Sequence, residues 1–109
     1  MRIWLIGAEQ AAIDALEQLR KHRELELFVS APTDRPKAVT DGVIERVTYV
    51  EYVTPVNVNT LARRIRPDLI LVDPTADERT YGRVAGGMAF SEALTYELAT
   101  ASDYPCLIL

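Results

Sequence analysis

The sequence predicts an α/β fold built on one mostly parallel, five-stranded sheet. Three observations carry this. Apolar runs that suit buried strands alternate with stretches of helical periodicity. Two of the runs, Ile3-Trp4-Leu5-Ile6 and Leu69-Ile70-Leu71-Val72, are wholly apolar, as strands covered on both faces should be. Gly7 follows the first run at once and opens a helix-like stretch, so strand, tight turn and helix stand in immediate succession.

The unit Arg2 to Arg23 is the organising one. Behind Gly7, Ala12, Ile13, Leu16 and Leu19 fall at helical spacing, with Asp14, Glu17, Gln18 and Lys21 opposite. Glu9 stands at the positive end of the helix dipole and Arg20 to Arg23 at the negative end. Leu25 to Val29 reads as a second strand. The stretch Ser30 to Gly42, with Pro32 and Pro36, reads as a long loop. Val43 to Val53 reads as a third strand, near a sheet edge because polar residues occur on both faces. Pro55 ends it. Asn57 or Asn59 is expected to cap a helix whose apolar stripe is Val58, Leu61, Ala62 and Ile65, stopped by Pro67. The fourth strand is Leu69 to Val72. Asp77 to Tyr81 fits a helical turn. Met88 to Ala101 reads as a helix with Phe90, Ala93, Leu94, Glu97 and Leu98 along one side, and Pro105 to Leu109 as a fifth strand.

Right-handed crossovers then favour strand order 3-2-1-4-5, a Rossmann-like, three-layer half-fold. A length of 109 residues is one domain. The first helix covers one face of the sheet and the later two cover the other. No helix is expected between strands two and three, so the first face is thin. Either the loop Ala31 to Gly42 or a second copy should cover it, and a homodimer is expected.

Composition excludes several function classes. The net charge is −4, so a phosphate-backbone partner is not expected. The single cysteine, Cys106, forbids an internal disulfide. No run reaches the ~18 apolar residues of a membrane span, and no signal-peptide pattern is present, so the expected compartment is cytoplasmic. One histidine, His22, at a helix end, is a poor basis for a catalytic triad or a zinc site. No metal site is expected, and no P-loop is present.

In sheets of this kind ligands lie beyond the carboxyl ends of the strands, where the strand order reverses. That point falls between strands one and four. It gathers Gly7, Ala8 and Glu9 from one side and Asp73 and Thr75 from the other, with Ser30 and Arg35 flanking. Dinucleotide sites use G-x-G-x-x-G. Here Gly7 supplies the first glycine and Ala12 can replace the third, but Glu9 stands at the second, with bulk and charge where phosphate should lie. Gly7 also fits a purely structural turn. Ser30 with Arg35 suits a ribose 2′-phosphate, hence NADP; Arg35 as a plain loop charge is the alternative. Asp73 fits either a ligand-facing acid or a turn or helix cap.

The run Arg66-Pro67-Asp68-Leu69-Ile70-Leu71-Val72-Asp73 looks like the strand of response-regulator receivers that ends in the phospho-acceptor aspartate. Gly7-Ala8 replaces the acidic pair that receivers need for magnesium, and no lysine follows Lys37. The chain as a whole resembles NADP-type Rossmann domains, most nearly the N-terminal half of precorrin-6A reductase. That family ends its fourth strand Asp-Ala-Thr-His-Pro, which Asp73 and Thr75 match within Asp73-Pro74-Thr75-Ala76-Asp77. Its Pro-aromatic-apolar fifth strand is similar to Pro105-Cys106-Leu107-Ile108-Leu109. The likeness spans most of this chain and half of such an enzyme. It implies NADPH as cofactor and a corrin precursor as substrate. Three functions are therefore expected to compete: a nucleotide-like ligand at the switch point, a degenerate receiver acting through protein contacts, and a half-enzyme completed by a partner chain.

Overall fold

The computed structural model describes residues 1–76 and 87–109. Its five strands are β1 (Arg2–Ile6), β2 (Glu26–Ala31), β3 (Tyr49–Val50), β4 (Leu69–Val72) and β5 (Cys106–Ile108). They form one sheet in the order β3-β2-β1-β4-β5. All four neighbouring pairs are parallel. The helices that lie wholly within the described residues are α1 (Gln10–Leu19), the single turn α2 (Lys37–Thr40), α3 (Val58–Ile65) and α4 (Gly87–Ala101). Class and strand order are those the sequence predicts.

Strand alternation divides the core in two. Ile3, Leu5, Val29 and Leu71 meet Ala12, Ile13 and Leu16 of α1 on one face. Trp4, Ile6, Ile70 and Val72 meet Val58, Ala62 and Ile65 of α3 and Leu98 of α4 on the other. Each central strand feeds both clusters, and this is why its residues are apolar throughout. Arg66 (φ 55°) takes the left-handed conformation that closes α3 immediately before Pro67.

Several elements differ from expectation. The second strand runs on through Ser30 and Ala31, because β1 continues pairing it as far as Ile6 opposite Ser30. The third strand shrinks to Tyr49–Val50, paired with Ser30 and Ala31. Its upstream half instead folds inward: Val47 is buried, and Val43 and Ile44 pack on the α1-side core. The stretch read as a loop holds α2, whose Ala38 is fully buried. Of the two ways of covering the thin face, this chain uses its own segment 37–47. The cover is partial, leaving an open groove of about 710 Å³ bordered by Leu16, Leu27, Val29 and Val43.

Asn57 stands at the start of α3 without capping it. Its side chain turns back, accepting from the Thr54 amide (2.7 Å) and donating to the Tyr52 carbonyl (2.9 Å). Asn59 likewise looks away, to the Ala101 carbonyl at 2.9 Å. Along α4 the buried positions include Thr95 and Leu98, while Ala93 and Glu97 are exposed. The expected stripe is thus rotated around the helix. The turn expected at Asp77 to Tyr81 lies outside the described residues. None of the described helices is long and apolar enough to cross a membrane.

Candidate functional site

Strands β1 and β4 are neighbours, in register Ile6 opposite Val72, so the strand order reverses between them. The Gly7 amide donates to the Ser30 carbonyl (2.8 Å) and the Asp73 amide to the Ile6 carbonyl (2.9 Å). These bonds pin both strand ends together and bring Gly7, Ala8, Glu9, Ser30, Asp73 and Thr75 into one small region. Arg35 stands apart: it is exposed, in a turn where its amide donates to Thr33 Oγ1 at 3.3 Å.

Asp73 is the centre of the region. It is 2 % exposed. Its Oδ2 accepts from the backbone amides of Glu9 (2.9 Å) and Ala12 (3.0 Å), both at the N-terminus of α1. Its Oδ1 accepts from the Thr75 amide (2.8 Å) and from the Thr75 hydroxyl. Thr75 Oγ1 in turn accepts from the Ala11 amide at 3.3 Å. Three amides of the first turn of α1, which a helix leaves without internal partners, are thus met by β4's own aspartate and threonine. An anion belongs there by helix electrostatics, and the protein supplies the anion itself. The Asp73 carboxylate is accordingly buried, with both oxygens engaged inside the protein.

Gly7 fits the same picture. Its φ is +98°, and a Cβ on it would lie 2.9 Å from both Asp73 Cβ and Ala76 Cβ. The glycine is required because the end of β4 packs against the turn. Of the two roles open to Gly7, the structural one has a visible cause. Room remains beside it for about 40 Å³, between Ser30, Tyr52, Asp73 and Ala76, on the scale of one water.

Ser30 is buried, and its Oγ accepts from Trp4 Nε1 at 2.7 Å. It satisfies the indole of the most deeply buried large side chain. We expect Ser30→Ala to destabilise the fold by about 1–3 kcal/mol, the penalty for orphaning a buried donor. Urea unfolding followed by fluorescence of Trp4, the only tryptophan, measures this. A loss below about 0.5 kcal/mol would refute that role.

Glu9 accepts from the Lys37 amide at 3.0 Å through Oε2, tying the start of α1 to the start of α2. Beside this link lies the roomier hollow of the region, about 310 Å³, lined by Ala8, Glu9, Pro32, Thr33, Pro36 and Ala76. Periodicity could not have revealed Pro32, Thr33 and Pro36 as its wall, since only the folding of β2 into α2 brings them opposite Glu9.

Cys106 is half-buried, and burial pushes its thiol above the ordinary range, which lowers its thiolate fraction and its reactivity. Among the described residues no three His, Cys, Asp or Glu side chains gather in a way that could hold a metal ion. Comparison with protein-family models, curated proteins and solved structures finds no match to this chain, so geometry alone bears on what it does.

Proposed function

We propose that this chain is a Rossmann-like module that acts through contact with a protein surface and seats no dinucleotide at its switch point. The observation that carries the reading is the Asp73 carboxylate on the first turn of α1. A pyrophosphate there would compete with a fixed negative charge for the same amides. Displacing Asp73 would leave a buried carboxylate without partners, which costs several kcal/mol. Ser30, the residue that would meet a ribose, is committed to Trp4.

A second reading is favoured by the hollow between Glu9 and the segment Pro32 to Pro36. Its size is within the range of small-molecule pockets. Under that reading the ligand is nucleotide-like but makes no use of a pyrophosphate seat.

Thermal-shift titration separates the two. With NADP, NAD, ATP and S-adenosylmethionine at millimolar concentration, the expected result is no rise in melting temperature. A ligand at 100 times its Kd would add about 2.7 kcal/mol, equivalent to roughly 10 °C or more in a domain of this size. A shift of that order with NADP would restore the dinucleotide reading. A shift with ATP or S-adenosylmethionine alone would favour the second.

A further inference from the structure

The two edges of the sheet are built differently. At the β3 edge only two residues pair, and the exposed charges Glu45, Arg46 and Glu51 flank them. Short length and charge are the usual protections of an open edge. The β5 edge is also short, at three residues, but lacks the charge. Tyr104 to Leu109 has no charged side chain, and Leu107, Ile108 and Leu109 are exposed at 59 %, 43 % and 39 %. Tyr96 of α4, the helix that packs on β5, is exposed as well.

The hydrogen-bond register says what would fit there. The Ile70 amide donates to the Pro105 carbonyl (2.8 Å) and the Leu109 amide to the Val72 carbonyl (2.9 Å). With Ile70 opposite Cys106 and Val72 opposite Ile108, the parallel ladder directs the peptide groups of residues 105, 107 and 109 inward. Cys106 and Ile108 therefore direct their N–H and C=O groups outward. These two residues are placed symmetrically about Leu107. A second β5 related by a two-fold axis through Leu107 would set Cys106 against Ile108 of the copy, and Ile108 against Cys106. Each is a hydrogen-bonded antiparallel pair exchanging two bonds. Leu107 would face its own copy on the axis, in the closer non-hydrogen-bonded type of pair. No like charges meet along the strand. A partner chosen by charge would find nothing on β5 to read, whereas the strand is complementary to itself.

We infer that the β5 edge pairs antiparallel with β5 of a second copy, joining two five-stranded sheets across a two-fold axis at Leu107. The inference deepens the protein-contact reading, on which it rests, by naming surface and partner.

Light scattering on the eluting protein at about 100 μM is the test. The expected mass is twice the 12.2 kDa of the chain. Leu107→Lys and Leu107→Glu, each placing like charges on the axis, should each elute at the single-chain mass. An equimolar mixture of the two should recover the doubled mass. Leu107→Cys, in a Cys106→Ser background, should cross-link on oxidation. Val56→Cys in the same background, at a position 91 % exposed and outside β5, should not. Recovery by the mixture shows that the charged variants still fold. A single-chain mass for the unaltered protein would overturn the inference, as would a doubled mass retained by both charged variants. A doubled mass retained by both would leave contact through another surface standing. A doubled mass alongside an NADP-induced thermal shift would sink the protein-contact reading while leaving the pairing intact.

Discussion

Gly7→Ala is expected to destabilise the protein by about 2–5 kcal/mol. Two causes add. A residue with a Cβ in the left-handed region loses roughly 1–2 kcal/mol of backbone energy. Overpacking a filled site adds about 1–3 kcal/mol, and the new methyl would lie 2.9 Å from both Asp73 Cβ and Ala76 Cβ. Gly42 provides the control. Its φ is +76°, but nothing lies within 4 Å of a Cβ built there. Gly42→Ala should therefore lose only the backbone part. Urea unfolding of both variants, read as a shift in midpoint at constant slope, isolates the packing part by difference. Equal losses would mean that β4 does not press on the Gly7 turn, and the account of a closed switch point would fail with it.

Removing the Asp73 carboxylate should be the other large loss. Asp73→Ala strands the amides of Glu9 and Ala12 at the start of α1 and that of Thr75 just beyond β4. One orphaned buried donor costs about 1–3 kcal/mol, and an N-terminal cap alone is worth about 1 kcal/mol. Allowing for water entering the vacated space, a loss of about 3 kcal/mol is expected. Asp73→Asn should lose less, since one oxygen remains to accept. A second readout distinguishes an occupied anion seat from an ordinary buried carboxylate. Inorganic phosphate added to Asp73→Ala should raise its melting temperature more than it raises that of the unaltered protein, because an anion can then take the empty place. An equal rise in both would sink the idea that Asp73 stands where an anionic ligand would otherwise bind.

The two central strands were legible in the sequence because they are buried on both faces, which leaves an unbroken apolar run whatever the surroundings. The order of the sheet followed from the handedness of the crossovers. The third strand was overestimated for a related reason. The β-branched run from Val43 to Val53 suits any half-buried extended backbone, and its first half meets the core from a loop instead of a ladder. The α2 turn was hidden behind Pro32 and Pro36, which read as breakers, although Pro36 in fact introduces it. The rotated face of α4 shows the limit of periodicity in a helix whose apolar and small residues nearly encircle it.

At the site, position was readable and role was not. Gly7, Glu9, Ser30, Asp73 and Thr75 do converge, since each stands at or near the carboxyl end of β1, β2 or β4. Asp73 reads the same in sequence whether it faces a ligand or caps a helix. The choice lies in the distance from one carboxylate to two amides more than sixty positions earlier in the chain. By itself, then, the sequence determined the α/β class, the strand order and the place where β1 and β4 part, because apolar periodicity and crossover handedness are local or topological properties. Only the tertiary structure decided that this place is closed by the protein's own anion and that β5 presents an exposed apolar edge. Both depend on which groups satisfy which across the fold, and such pairing leaves no pattern along the chain.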